Sequence, residues 1–294
     1  MQYISSFFKY LEFEKRSSQY TIVTYECDLR QFQVFLKEQN INLWENVTSK
    51  VIRNWMVGLL DSGISPRTIS RKIAALKTFF RFLMREGILE VNPAESVITP
   101  KVPKKLPVFL REEEMDLLLD KVSFGDDYSG VRDRFIIILF YNTGMRLSEM
   151  VGLRLVNIDQ GSGLIKVLGK RNKERIIPYN RELEQAIQEY VQKRQQAFPD
   201  LLEDTLLLTD KGRPVYAKLI YRVVNRYIKQ VSTISKKSPH VLRHTFATVL
   251  LNRGADLNAI KELLGHASLA ATEVYTHNSF EQLNTVYKQA HPRA

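Results

Sequence analysis

The chain has 294 residues, 44% hydrophobic and 26% charged, with 43 Lys+Arg against 32 Asp+Glu and a formal net charge of +11. That length suits one large domain or two ordinary ones with real cores, and the cation surplus points to a polyanionic partner, nucleic acid before an anionic membrane surface, unless it serves solubility alone. Cys27 is the only cysteine, which excludes an internal disulfide framework and a cysteine zinc site, and the longest apolar run, Phe135 to Tyr141, is far short of a membrane span.

The first ten residues are too polar for a signal peptide, so a soluble, cytoplasmic protein with no membrane partner is expected. Tyr25, Leu29, Phe32, Phe35 and Leu36 recur at helical spacing after the cap-like pair Ser17-Ser18. Ser65-Pro66 predicts another helix start, with Ile69, Ile73, Leu76, Phe80 and Leu83 on one face. Arg67, Arg71, Lys77 and Arg81 cluster opposite, as a solvated face or as contacts to DNA phosphates. Residues 99–108 contain three prolines and three lysines without helical period and read as a linker. Two domains are therefore expected, over 1–98 and 109–294. Both are basic: residues 1–105 hold 16 Lys+Arg against 10 Asp+Glu, and the remainder 27 against 22.

The second part mixes helices with a short hairpin, Leu164 to Val167 and Arg175 to Pro178 around the polar turn Gly169 to Glu174. Beyond residue 215 the spacing is helical again, with Gly254 and Gly265 at expected C-caps. The predicted fold class is mainly α with a small β-sheet. All five histidines (His240, His244, His266, His277, His291) fall in the last 55 residues. Ser238-Pro239-His240 reads as an N-cap, a first-turn proline and a second helical residue, where free backbone N–H groups favour an anion. Arg243 follows one turn later, on the same face. By themselves, His240 reads as a structural or surface histidine and Arg243 as a solvated cation. His240 and His244 have the spacing of a metal pair, but Val-Leu-Arg between them supplies no glutamate, so no metal site is expected. No phosphate-binding G-x-x-x-x-G-K-[ST] loop occurs.

Four separated boxes carry a resemblance. Asn142-Thr143-Gly144-Met145-Arg146-Leu147-Ser148-Glu149 resembles the first arginine box of the tyrosine site-specific recombinases, the phage integrase family. Gly169-Lys170-Arg171-Asn172-Lys173-Glu174-Arg175 resembles their lysine hairpin, His240-Val241-Leu242-Arg243-His244 their H-x-L-R-H box, and Leu263-Leu264-Gly265-His266, with Tyr275 nine residues on, their last box. The likeness runs from about residue 5 to the end and is greatest to the Xer type, which resolves chromosome dimers.

The resemblance implies a SAM-like helical core-binding domain and a recombinase catalytic domain, forming a C-shaped clamp on double-stranded DNA. Arg146, Lys170, His240, Arg243, His266 and Tyr275 would take the six catalytic positions, with Glu149 as a supporting acid, Arg171 and Lys173 as further DNA contacts, and no cofactor. Arg171 stands where many relatives have glycine. Glu149 has two readings, a helix-start carboxylate or an orienting partner of Arg146 or a histidine. The family works as a tetramer on two DNA sites, from one recombinase or two related ones, and a DNA translocase activator is expected for the Xer type. The segment from Phe280 to Ala294 would be passed to a neighbour or pack in cis.

Such residues suit the chemistry. Phosphoryl transfer is catalysed mainly by positioning and charge stabilisation, and two arginine forks match two phosphate oxygens. Tyr275, a phenol with an ordinary pKa of about 10, needs nearby cations to act as nucleophile. Lys170 would protonate the departing 5′ oxygen. A mobile-element integrase shares this chemistry. A type IB topoisomerase would need no partner site, and a DNA-binding regulator would need no intact catalytic set.

Overall fold

The computed structural model describes residues 3–103, 107–169, 174–265 and 285–293. The chain divides into two compact units, Met1–Lys105 and Leu106–Ala294.

The first unit is helical. Helix α1 (Ile4–Lys9) runs into a π-helical turn (Tyr10–Glu14), followed by α2 (Gln19–Glu38), a 3-10 turn (Trp44–Asn46), α3 (Ser49–Asp61) and α4 (Pro66–Arg85). Ser18 and Ser65 cap α2 and α4 by accepting from Thr21 N and Thr68 N, and Pro66 opens α4 where its missing N–H costs nothing. The predicted apolar face of α4, Ile69 to Leu83, is wholly buried with Phe32, Trp44 and Phe79. Trp44 meets Phe79 edge-on at 4.7 Å between centroids, and Phe7 meets it at 5.2 Å.

The cationic face of α4 is not an open row. Arg71 and the buried Lys72 both hold Asp28 of α2, Lys77 Nζ donates to the Glu95 carbonyl at 3.1 Å, and Arg81 pairs with Glu95 at 3.5 Å. Arg67 is exposed. One face of a helix wheel shows no acids because the acids that meet it come from other segments.

The second unit is built around α6 (Tyr128–Thr143), which is buried on nearly every side and packs against α8 (Arg181–Ala197), α9 (Ala217–Val231) and α10 (Pro239–Asn252). An apolar run without a polar stripe folds this way because a central helix has no solvent side. The remaining elements are α5 (Glu112–Asp120), α7 (Leu147–Val151), α11 (Leu257–Leu264) and a three-stranded antiparallel sheet. Strand β1 (Ile158–Asp159) pairs with β2 (Leu164–Leu168), and β2 with β3 (Glu174–Pro178), in register Ile165↔Ile177 and Val167↔Arg175. The predicted hairpin is present; β1 adds a third strand too short to leave a sequence pattern.

Residues 285–293 pack in cis. Tyr287, Ala290 and His291 are buried against Phe246, Leu250 and Tyr141, and Arg293 reaches Asp116, Asp120 and Glu182. Among the described residues, no helix is long and apolar enough to cross a membrane.

Candidate active site

The site begins where α6 must stop. Thr143 turns its hydroxyl back to the Leu139 carbonyl and accepts from Met145 N at 3.3 Å. Gly144 takes a left-handed conformation (φ +56°), and a Cβ there would stand 2.4 Å from Phe246 Cδ1 and 2.9 Å from Leu264 Cδ2. Only glycine meets both demands. The turn delivers Arg146 to the start of α7.

Glu149, in the first turn of α7, is buried and accepts four hydrogen bonds. Arg146 N donates to Oε2 at 2.6 Å and Arg146 Nη1 to Oε1 at 2.8 Å. Arg175 Nη1 and Nη2 grip the same two oxygens at 2.7 and 2.8 Å. Burial would raise this carboxyl's pKa, but the hydrogen bonds and charges of Arg175 and then Arg146 outweigh it and hold the pKa at about 2. Glu149 thus accepts at the helix start, from Arg146 N, and also from the Arg146 guanidinium.

Arg243 projects from α10 into the protein, where it is 8% exposed. The ordinary expectation of a solvated cation is corrected here, because α10 turns this position toward α6 and α11. Its Nη1 donates to the Gly144 carbonyl at 2.5 Å and its Nη2 to the Leu264 carbonyl at 2.6 Å. Burial, then the charges of Arg146 and Arg175, lower its pKa to about 10, so it stays charged near neutrality.

Three arginines thus hold three successive carbonyls at the end of α11. Arg175 Nε takes that of Leu263 at 2.8 Å, Arg243 that of Leu264, and Arg146 Nη2 that of Gly265 at 2.7 Å. The last carbonyls of a helix lack intrahelical partners and sit at the negative end of its dipole, so guanidinium groups are suited to that place. Among the described residues, Arg146, Arg175, Arg243 and Glu149 gather three positive charges against one negative. Guanidinium forks converging at a partly enclosed site suit an anion.

His240 is exposed at the second position of α10, one turn before Arg243. His244, also on α10, has its pKa lowered by burial, then by the charges of His240 and Arg243. The structure thus brings Arg146, Glu149 and Arg243 together and places His240 on the helix that carries Arg243. Lys170, Arg171, Lys173, His266 and Tyr275 lie outside the described residues, and Arg67, Arg71, Lys77 and Arg81 belong to the first unit.

Arg175 has no role in the sequence reading beyond closing the lysine box. A signal for it exists: it occupies the same strand parity as Ile177, the buried side of β3. A charged residue on the apolar parity of a short strand needs a buried partner.

Residues 108–282 match the model of the phage integrase family, and residues 4–87 that of the phage integrase N-terminal SAM-like domain. The chain belongs to the phage integrase family. It is 40% identical over 299 residues to the tyrosine recombinase XerC of Halalkalibacterium halodurans, covering all of this chain and 98% of that one. It is 38% identical over 295 residues to the tyrosine recombinase XerC of Bacillus subtilis, covering 99% and 97%. It also resembles the crystal structure of the XerH site-specific recombinase bound to difH substrate in a pre-cleavage complex. There the TM-score is 0.69 and the identity 25%, over 98% of this chain and 82% of that one. As a member of the phage integrase family, the chain is a Xer-type tyrosine recombinase, an enzyme of site-specific DNA recombination.

Proposed function

We propose that the chain cuts and rejoins double-stranded DNA through a covalent 3′-phosphotyrosine on Tyr275, and that its cellular task is to resolve chromosome dimers at cell division. The observation that carries the chemistry is the convergence of Arg146 and Arg243 on adjacent carbonyls at the end of α11. From there the sequence runs directly into His266 and on to Tyr275.

In this reading the two guanidinium groups bind the non-bridging oxygens of the scissile phosphate, where charge builds up during attack. The Tyr275 phenolate oxygen forms the new bond to phosphorus, and the bond from phosphorus to the 5′ oxygen breaks. Lys170 gives that oxygen its proton, and His240 and His266 add donors. The phosphotyrosine keeps the energy of the broken bond, so a 5′ hydroxyl reverses the step. Full-length similarity to tyrosine recombinases named XerC supports the chromosomal task over a mobile-element one. The working assembly is a tetramer on two DNA sites in the cytoplasm, activated by a DNA translocase. Arg67 of α4, with Arg171 and Lys173 of the hairpin, supplies further phosphate contacts, while Arg71, Lys77 and Arg81, engaged by Asp28 and Glu95, add to the positive field.

The test is covalent trapping. Purified chain and its Tyr275→Phe variant are mixed with nicked duplexes carrying candidate sites and run on a denaturing gel. A DNA-linked band with the wild-type chain alone supports Tyr275 as nucleophile; a band that survives the substitution overturns that assignment.

A further inference from the structure

Glu149 poses a problem for an anion-binding site. A buried carboxylate in contact with Arg146 cancels part of the charge that a phosphate would feel, and it stands close to where that phosphate would bind. Arg175 answers it. Its fork covers both Glu149 oxygens, at 2.7 and 2.8 Å, and is itself 5% exposed. The pair is bidentate, the strongest arrangement available to these groups. With Arg175 present, the cluster of Glu149 and its two arginines keeps one net positive charge; without it, Arg146 and Glu149 would neutralise one another.

The same guanidinium has a third contact. Its Nε donates to the Leu263 carbonyl at 2.8 Å, one and two residues before the carbonyls held by Arg243 and Arg146. Gly265, the left-handed C-cap of α11 (φ +63°), lies against its side chain: a Cβ there would stand 3.1 Å from Arg175 Cδ. One side chain of β3 therefore touches the acid of the first box and the end of the helix that opens the last box.

We infer that Arg175 is a positioning residue of the recombination site: it locks Glu149 and the end of α11 together, so that Arg146 is held in one orientation and its charge stays available to the scissile phosphate. This rests on the proposed role of Arg146. It predicts a specific pattern, because Arg175 acts through Glu149 and touches no substrate. Misplacing a catalytic group by about 1 Å costs on the order of 10² in rate. A lysine keeps the charge but cannot reproduce the fork.

The experiment measures single-turnover adduct formation at saturating DNA, on the nicked duplex that gives the wild-type adduct, beside equilibrium affinity for the same duplex. Arg175→Met is expected to slow adduct formation by about 10² and Arg175→Lys by about 10, with affinity within about threefold of wild type, since binding is spread over many phosphates. In a Glu149→Gln background, where the carboxylate charge is gone but the bond to the Leu263 carbonyl remains to be lost, Arg175→Met should slow the reaction by about tenfold or less, well short of its factor in the wild-type chain. A wild-type rate for Arg175→Met overturns the inference, as does a full additional loss in the Glu149→Gln background. If Arg175→Met does not fold, Arg175→Lys decides: a wild-type rate, or a rate loss matched by an equal loss of affinity, overturns the inference. A wild-type chain that gives no adduct on any duplex overturns the proposed function instead, a result visible before any variant is compared.

Discussion

Tyr287 donates its hydroxyl to Asn142 Oδ1 at 3.3 Å, joining the C-terminal segment to the residue that opens the first arginine box. Asn142 also donates to Glu182 Oε2 at 3.4 Å, and Glu182 holds Arg293 at 2.5 Å. The socket for residues 285–293 is thus made from α5, α6, α8 and α10, and its polar floor is four residues from Arg146.

Removing the Tyr287 ring should unseat this segment. Tyr287 is fully buried, so Tyr287→Ala is expected to destabilise the second unit by about 3–5 kcal/mol. Tyr287→Phe, which loses only the hydrogen bond to Asn142, should cost about 1 kcal/mol. Urea denaturation followed by far-UV dichroism separates the two.

His291 stacks on Tyr287 at 5.1 Å between centroids and is held neutral, burial lowering its pKa to about 4. The unfolded chain binds a proton at about pH 6.5 that the folded chain refuses until about pH 4. Stability from this group is therefore complete above pH 6.5 and is lost as the pH falls toward 4, by roughly 2–3 kcal/mol. Unfolding free energies from pH 7 to pH 4.5 should show this slope, shallower in His291→Phe. Equal slopes would show that His291 is not the group responsible.

Glu149 joins two arginines, so Glu149→Ala leaves Arg175 buried without its partner. A loss of about 3–5 kcal/mol in stability is expected. Glu149→Gln should cost less, because the amide oxygen still accepts from one arginine. A Glu149→Ala chain as stable as wild type would mean that the ion pair contributes no net stability.

Gly144→Ala should be destabilising for two reasons, the left-handed backbone at φ +56° and the clash with Phe246 and Leu264. Together these predict about 2–4 kcal/mol. The Gly144 carbonyl holds Arg243, so adduct formation should slow as well. A thermal melt and the trapping assay read both effects.

Arg146→Lys and Arg243→Lys should each slow adduct formation by about 10²–10³ with little change in DNA affinity. A loss in affinity alone, with the rate preserved at saturating DNA, would assign these groups to binding and not to the chemical step.

Much of this molecule is legible in the sequence because local rules suffice there. Ser18 and Ser65 announce α2 and α4, the alternation around Gly169 to Glu174 announces the hairpin, and Ser238-Pro239 announces α10. The order and spacing of the boxes around Arg146, Lys170, Arg243 and Tyr275 carry the resemblance to the family, and the family model matches over the same stretch. Tertiary structure decided what no window of sequence contains: which charges meet. Arg71 and Arg81 read as an open cationic face until Asp28 and Glu95 arrive from other segments. Arg243 reads as a solvated cation until α6 and α11 close over it. Arg175 and Glu149 are 26 residues apart and form one buried pair, which links β3 to α7 through space and owes nothing to local propensity. Electrostatic partnership depends on distance through space, and the chain order records only distance along the backbone.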